Sequence, residues 1–302
     1  MKRRIHLLAL IPAMIFSTGC DMKKKDSVNV IILSGQSNAI GCKNSQLLIQ
    51  SMGQEKYDEY LAGYEDIQIA FNNWDCRYDQ PGRPIVLQNS SKKSEFTKVT
   101  LGQGNVPANF GWEVGMAEEL HAKWGKKLYI IKCACGASNL NDDWADTNFV
   151  MFQNLKTFVD KKMQELKDNG LNPVLRAFCW MQGEGDSYPG YYPYYYDNLV
   201  RFKSNLDKAF LGYTEDNKLP FIDGGIGPGA AEGEETGEWV YYKEVNEDKQ
   251  RFAALSDTNI YIDTIAAGLH SNKEPADNVH YDSESVVQLG HLFAKAYEPF
   301  LK

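Results

Sequence analysis

The stretch Val28-Asn-Val-Ile-Ile-Leu-Ser-Gly-Gln-Ser-Asn38 decides the fold class. It begins with an apolar run, which is typical of a strand that is covered on both faces of a sheet. The Gly-Gln-Ser that follows predicts a tight turn at the carboxyl end of that strand, and Gly35 permits the turn. A substrate can reach a hydroxyl on such a turn, and the backbone N–H of Ser37 could face an oxyanion there. The stretch therefore predicts a buried strand that presents Ser37 as a nucleophile.

Further apolar runs alternate with helical patterns along the rest of the chain. Strand candidates lie at 127–133, 174–181, 219–223 and 259–263, with weaker candidates at 67–71 and 85–87. Helical periodicity covers 112–124, 149–169, 194–211, 242–255 and 283–297. This alternation predicts one α/β domain over residues 28–302, built as a three-layer α/β/α sandwich with a mostly parallel sheet. We expect residues 72–109 and 224–238 to be long connections, because they are polar or glycine-rich and contain many turn-forming residues.

The composition excludes one class of partner. The 302 residues are 43% hydrophobic and 24% charged, as in ordinary globular proteins, and the formal net charge is −8. The chain has no basic stripe of the kind that neutralises phosphates in nucleic-acid-binding proteins. We therefore expect no nucleic acid as partner.

The first 20 residues have the features of an export signal. Basic residues at positions 2–4 precede an apolar run over 5–16, and Ser17-Thr-Gly-Cys20 follows. The run is shorter than the roughly 20 apolar residues that a membrane-spanning helix needs. Its ending resembles a bacterial lipobox, in which the cysteine is acylated and becomes the first residue of the mature protein.

This pattern predicts a lipoprotein signal peptide over 1–20, lipidation at Cys20 and a short polar tether over 21–27. The protein would be exported and held by a lipid anchor alone on the periplasmic or cell-surface side of a bacterial membrane. The alternative is a plain secretory signal with an incidental cysteine. The other five cysteines are an odd number, so at least one is unpaired if the rest form bridges. Cys133-Ala-Cys135 is too closely spaced for a zinc site, and we expect buried, hydrophobic cysteines there.

A nucleophilic serine needs a base, and His280 is the best placed of the histidines. His121 and His291 fall inside amphipathic helical patterns, and His270 lies in a loop. His280 occurs in Asp277-Asn-Val-His280, directly before the last helical pattern. One short turn of this spacing can present an imidazole together with a carboxylate that orients it and stabilises its charged form.

Four blocks of sequence carry a resemblance to a known family. They are Ser34-Gly-Gln-Ser-Asn38, Phe110-Gly-Trp-Glu-Val-Gly115, Trp180-Met-Gln-Gly-Glu-Gly-Asp186 and Asp277-Asn-Val-His280. Together they resemble the SGNH hydrolases, and more narrowly the carbohydrate esterase family 6 and sialate O-acetylesterase group. The resemblance runs from about residue 28 to the end of the sequence and implies a flavodoxin-like fold.

The resemblance also assigns roles to residues. It implies that Ser37 is the nucleophile and that the oxyanion hole is formed by the N–H groups of Ser37 and Gly111 and the side chain of Gln182. Asp277 is the expected acid partner of His280, because its tether to the histidine is short, and Glu184 is the alternative acid. The loop 135–140 departs from the Gly-Gly-Thr-Ser-Leu that this group often has. No metal or cofactor is expected, since acyl transfer by a serine requires none.

The sequence therefore predicts a serine esterase that removes acetyl groups from carbohydrates, either xylan-type polysaccharide or sialic acid, through an acyl-enzyme. The alternatives are an esterase of other acyl chains and a surface lipoprotein that binds glycans on a hydrolase scaffold without catalysis. A tyrosine cluster at 188–196 suits sugar rings, although at least half of it is expected to pack in the core. We expect Tyr188 and Tyr191 to bind substrate, and Trp74 and Trp144 lie in other loops that could reach the same edge.

Overall fold

The structure, a computed structural model, describes residues 27–80, 83–229, 239–271, 274 and 279–302. Within these residues the strands are β1 (Ser27–Gly35), β2 (Lys43–Asn44), β3 (Tyr64–Gln80), β4 (Arg83–Val99), β5 (Asn109–Phe110), β6 (Leu128–Gly136), β7 (Asn172–Met181), β8 (Phe221–Gly224) and β9 (Asn259–Ile262). The helices are α1 (Ser37–Ile40), α2 (Leu47–Met52), α3 (Gln54–Ala62), α4 (Glu113–Trp124), α5 (Val150–Asp168), α6 (Tyr195–Phe210), α7 (Tyr242–Ala253) and α8 (Ser283–Tyr297).

The main sheet confirms the predicted fold class. Its seven strands run in the order β4-β3-β6-β1-β7-β8-β9, and every neighbouring pair is parallel except β3 with β4. The strand predicted at 28–33 is therefore the middle strand of the sheet. Because the parallel strands all have their carboxyl ends on the same side of the sheet, the loops that follow β1, β6 and β7 meet there. The sequence blocks in these loops are thereby brought together.

Helices cover both faces of the sheet, so the sheet buries its apolar runs completely. On one side α4 packs against α8, where the rings of Trp112 and Phe293 stack at 4.2 Å. On the other side α5 and α6 meet through Phe152 and Phe202, and α6 contacts α7. Every residue of β6 is buried, as is β1 from Val30 onward. This two-sided burial explains why the parallel strands are mostly apolar instead of alternating, and the polar Lys132 of β6 is paired inside the core.

The helix predictions are confirmed to within two residues at each end, and the weaker strand candidates at 67–71 and 85–87 fall within β3 and β4. None of the helices in the described part of the chain combines the length and the hydrophobicity that a membrane crossing requires.

The prediction of a long polar connection over 72–109 is wrong for most of its length. β3 and β4 form an antiparallel hairpin there, and β3 stays paired with β6 only up to Asp75. Its polar side chains bond to one another across the two strands: Asn89 Nδ2 donates to Asn72 Oδ1 at 2.7 Å, and Asn73 Nδ2 lies 3.1 Å from Ser91 Oγ. These cross-strand pairs stabilise strands that lack an apolar alternation, so hydrophobic periodicity did not reveal them.

The two ends of the described chain meet at the amino end of β1, on the side of the sheet opposite Ser37. Asn29 Nδ2, near the start of β1, donates a hydrogen bond to the backbone oxygen of Lys302 at 3.2 Å. The predicted signal peptide, Cys20 and nearly all of the tether precede this point and lie outside the described residues, as do residues 230–238 of the predicted glycine-rich connection.

Candidate active site

Ser37 lies where the sequence predicted it, at the first position of α1 directly beyond the carboxyl end of β1. Gly35 makes this turn with a φ of +140°, and a Cβ atom there would lie 1.9 Å from the backbone oxygen of Met181. Only glycine combines that conformation with that close approach. The side chain of Ser37 is partly exposed, whereas the residues on either side of it are buried. The turn therefore presents the hydroxyl at the surface of an otherwise closed sheet edge.

Gln36 holds the turn of the nucleophile against the block that follows β7. Its Oε1 atom accepts hydrogen bonds from the backbone N–H of Gly185 at 2.9 Å and of Gly183 at 3.4 Å, and from Gln182 Nε2 at 3.2 Å. Its own N–H donates to the oxygen of Met181 at 3.0 Å. The first and third sequence blocks thus form one hydrogen-bonded unit.

Asn38 connects this unit to the loop that contains His280, which we call the histidine loop. Its Nδ2 donates to Glu184 Oε1 at 2.7 Å, and its Oδ1 accepts from the backbone N–H of Tyr281 at 3.2 Å. Tyr281 is buried, and its hydroxyl bonds to Gly225 O and Thr264 Oγ1. Asn38 therefore joins the turn of Ser37 to Glu184 and to the residue after His280. The sequence analysis did not assign Asn38 a role, although its position beside the nucleophile in a family block was a usable signal.

Glu184 is a buried carboxyl beside the histidine loop, and 1% of it is exposed. Burial raises the pKa of Glu184, and the hydrogen bond from Asn38 and the positive charges of Lys249 and His280 offset only part of that rise. His280 is partly buried, and Asp277, the expected acid, lies outside the described residues.

Gly111 lies beside the helix of the nucleophile. A Cβ atom on Gly41, the residue that ends α1, would lie 2.4 Å from the backbone nitrogen of Gly111. The N–H of Gly111 donates to Glu113 Oε1 at 3.2 Å, and the fully buried Glu113 pairs with the fully buried Lys132 at 2.9 Å. The structure thus brings Gly111 near Ser37 and fixes its peptide through a buried ion pair. Its oxyanion role stays a prediction.

Gln182 is completely buried within the same network. Its Nε2 donates to Asp186 Oδ2 at 2.6 Å and to Gln36 Oε1 at 3.2 Å. These two hydrogen bonds fix the orientation of the Gln182 amide beside Gln36, which precedes the nucleophile. In this structure its N–H groups are directed to protein partners, and its role in the oxyanion hole stays a prediction.

Asp186 is a further member of the site that sequence reasoning missed. It is fully buried, and its carboxylate accepts from the N–H groups of Leu140 at 2.7 Å and Asn141 at 3.3 Å as well as from Gln182. Burial raises the pKa of Asp186 to about 7, although these hydrogen bonds lower it. Asp186 thus ties the loop after β6, the one that departs from the family pattern, to the block after β7.

His270 and Asp282 form a histidine–carboxylate pair, and Asp282 follows His280 by two residues. His270 Nδ1 is 2.6 Å from Asp282 Oδ2, and Asp282 also accepts from the N–H of Glu274 at 3.2 Å. Lys43 Nζ lies 3.9 Å from Asp282 Oδ1. Asp282 follows His270 by 12 residues, so no short spacing in the sequence indicated this pair. No group of three or more His, Cys, Asp or Glu side chains in the described ranges is arranged to hold a metal ion.

The tyrosine cluster is divided between surface and core, with Tyr192 and Tyr196 partly buried against the core. Tyr188 is 36% exposed and faces the edge of Trp239 at 6.0 Å. Tyr191 is partly buried, and both its burial and the negative charge of Asp142 raise the pKa of its hydroxyl. Tyr195 is fully buried in the core. The sugar-contacting residues proposed from the sequence, Tyr188 and Tyr191, therefore lie at the surface just beyond Asp186.

The expectation that Trp144 could reach a substrate is wrong. Trp144 is completely buried, packs edge-on against Trp180 at 5.3 Å and donates its Nε1–H to Ser138 Oγ at 2.8 Å. It supports the loop after β6 from inside the core. Trp74 lies on β3, opposite Cys135 of β6, and is partly buried.

Solved structures share this architecture at low sequence identity. A protein from Arabidopsis thaliana is 18% identical with a TM-score of 0.57, covering 90% of this chain and 99% of its own. NanS is 14% identical with a TM-score of 0.59, covering 91% and 98%. A carbohydrate acetylesterase from Xanthomonas citri is 17% identical with a TM-score of 0.56, covering 90% of this chain and 56% of its own. These likenesses show the fold.

The sequence itself gives the family. No curated protein matches the chain significantly. A family model described as carbohydrate esterase, sialic acid-specific acetylesterase matches residues 27–299, which include all four sequence blocks. The chain therefore belongs to this carbohydrate esterase family and is a carboxylic ester hydrolase that removes acetyl groups from carbohydrates.

Proposed function

We propose that the chain hydrolyses acetyl esters of sugars through an acyl-enzyme on Ser37, with His280 as general base, while held to a membrane by a lipid on Cys20. The observation that carries the catalytic part is the pair of hydrogen bonds of Asn38, which join the turn of the nucleophile to Glu184 and to the residue after His280.

The reaction proceeds in two halves. Ser37 Oγ attacks the acetyl carbonyl carbon while His280 takes the hydroxyl proton, and the tetrahedral intermediate expels the sugar oxygen, which receives that proton. Water, deprotonated by His280, then attacks the acetyl-serine, and the intermediate expels Ser37 Oγ, which takes the proton back from His280 as acetate is released. The negative oxygen that forms in each half is stabilised by the N–H groups of Ser37 and Gly111 and by the amide of Gln182.

The acid partner of His280 is assigned to Asp277, with Glu184 as the alternative. Asp277 precedes His280 by three residues on one loop, so a short turn can hold the two side chains together. Glu184 is supported by its burial and by the effect of the His280 charge on its pKa. Burial raises the pKa of Glu184 and so disfavours its charged form, which makes it the weaker partner for an imidazolium.

The substrate is proposed to be an acetylated xylan-type polysaccharide or an acetylated sialic acid. The family description supports sialic acid, and the structure from Xanthomonas citri bears the name of a carbohydrate acetylesterase. The exposed ring of Tyr188, with that of Trp239 beside it, offers a sugar an apolar surface directly after the catalytic block. From the sequence alone, an esterase of longer acyl chains and a glycan-binding lipoprotein without catalysis are the alternatives, and the family match favours the acetylesterase over both.

A panel of esters tests this proposal. The purified protein is assayed for acetate release from acetylated xylo-oligosaccharides and from O-acetylated sialic acid. In parallel, acetyl, butyryl and octanoyl esters of one chromogenic alcohol are compared. We expect the largest kcat/KM on one acetylated sugar, with loss of activity as the acyl chain lengthens. Preference for octanoyl esters would contradict the substrate class, and glycan binding without release of any acid would favour the non-catalytic alternative.

A further inference from the structure

Two cysteines lie in contact at the point where β3 ends its pairing with β6. From Cys76 onward β3 pairs only with β4, and we call this part of the β3–β4 hairpin the hairpin arm. Strand β3 pairs with β6 in parallel, with Trp74 opposite Cys135 and Asp75 opposite Gly136, and this pairing ends at Asp75. Side chains two residues apart on a strand point to the same face, so Cys76 lies on the face of Cys135. Their Sγ atoms are 2.7 Å apart. The register of two neighbouring strands thus places two thiols against each other.

Both cysteines of this pair are buried. Cys76 is 5% exposed and Cys135 is fully buried, so no water competes for the contact between the sulfurs. Burial raises the pKa of the Cys135 thiol well above its ordinary value. Cys133 and Cys179 are fully buried within their own strands, and Cys42 donates to the backbone oxygen of Ser37 at 3.5 Å.

We propose that Cys76 and Cys135 form a disulfide bond by exchange with an organic disulfide, of which oxidised glutathione is the simplest example. The thiolate of Cys76, the more exposed of the two, attacks one sulfur of that disulfide and releases one thiol, which leaves a mixed disulfide on Cys76. The sulfur of Cys135 then attacks the Cys76 sulfur and releases the second thiol. Two protein thiols lose two electrons and two protons in all, and the incoming disulfide is reduced to two thiols.

The bond would hold the hairpin arm to the loop that borders the active site. Beyond Asp75, β3 is paired with β4 alone, so Cys76 is the first residue of the arm without a backbone partner in β6. Cys135 leads directly into the loop whose Leu140 N–H donates to Asp186, the residue that also holds Gln182. A cross-link at this point fixes the arm relative to the loop. It does not depend on the catalytic assignment of Ser37 or His280.

Peptide mapping tests the proposal. The full-length protein is unfolded, reduced and refolded in a mixture of reduced and oxidised glutathione, and its free thiols are then alkylated in denaturant. We expect alkylation of Cys42, Cys133 and Cys179, and of Cys20 where it carries no lipid, and a linked pair of peptides, lighter than their sum by two hydrogen atoms, that carries Cys76 and Cys135. The pair should separate on reduction. Alkylation of both Cys76 and Cys135, or linkage of either to another cysteine, would overturn the proposal.

Thermal unfolding supplies a second measurement. Because a disulfide restricts the unfolded chain, reduction should lower the Tm by roughly 5–10 °C. Cys76→Ala and Cys135→Ala should both abolish the difference between oxidised and reduced samples. Cys133→Ala is the matched control, since it lies on the same strand two residues earlier and should retain the difference. An equal response of all three variants to reduction would also refute the bond.

Discussion

Asn38 Nδ2 donates a hydrogen bond to Glu184 Oε1 at 2.7 Å, across 146 residues of sequence. This contact holds the residue after the nucleophile against a carboxyl that is fully enclosed by protein. The oxygen of a glutamine at position 184 could accept the same hydrogen bond without carrying a charge. A change of Glu184 to glutamine therefore separates the structural role of this side chain from an electrostatic role toward His280.

The acid partner is decided by comparing two isosteric variants. If Asp277 orients His280, Asp277→Asn should reduce kcat by up to about 10⁴-fold, because the wrong tautomer is then favoured. Glu184→Gln should cause only a small loss, since the bond to Asn38 persists. Steady-state kinetics on a small acetyl ester gives both values, and the reverse order would assign the acid to Glu184.

Ser37→Ala should abolish hydrolysis of simple acetyl esters and leave the fold intact. Loss of a triad member costs on the order of 10⁴–10⁶ in turnover in other hydrolases. Acetate release and circular dichroism are measured on the same samples, with the exposed Ser256→Ala as control. Turnover close to that of the wild type would remove Ser37 from the mechanism.

Asp186 should make stability depend on pH over a defined window. Its pKa is about 7 in the folded chain, against about 3.9 in an unfolded one, so the folded state binds the proton more tightly. The stability that this proton provides is complete below about pH 4 and is lost as the pH rises through about 7.

Asp186→Asn carries no such proton. Over this window the wild type should therefore lose free energy of unfolding relative to the variant, by about 1 kcal/mol per pH unit. Urea unfolding of both proteins between pH 4 and 9 measures the difference. A difference that stays constant with pH would show that the buried carboxyl titrates outside this range.

Tyr188→Ala and Tyr191→Ala should discriminate between large and small substrates. Either change should raise KM or lower kcat/KM for an acetylated oligosaccharide, while a small chromogenic acetate is hydrolysed as before, because only the large substrate contacts the additional aromatic surface. Tyr194→Ala, which removes a ring that is 59% exposed, is the matched control. Equal losses on both substrates would mean that the two tyrosines support the fold.

Lipidation at Cys20 is tested on the native protein from its membrane fraction. Mass spectrometry should find a diacylated or triacylated N-terminal cysteine, and Cys20→Ala should release the protein in soluble form. Cys42→Ala should stay in the membrane fraction. An unmodified Cys20 would leave ordinary secretion as the explanation of the signal.

The sequence predicted those elements whose structure depends on their own residues. The run 28–33 and the turn at Gly35 were readable because a strand buried on both faces must be apolar and a turn with positive φ requires glycine. The hairpin of β3 and β4 was not readable, since its polar side chains satisfy one another across strands. The contacts of Gln36 with Gln182, 146 residues away, depend on which strand ends become neighbours, and no spacing in the sequence contains that information.

The hydrogen bond from Asn29 to the backbone of Lys302 has a practical consequence for handling this protein. Both ends of the described chain lie at one end of β1, and Ser37 lies beyond the other. The nine residues of β1 span roughly 30 Å. A purification tag, fluorescent protein or surface linker joined before Ser27 or after Lys302 would therefore be attached at the side of the molecule opposite the serine hydroxyl, and an immobilised enzyme would present its reactive edge to the solution.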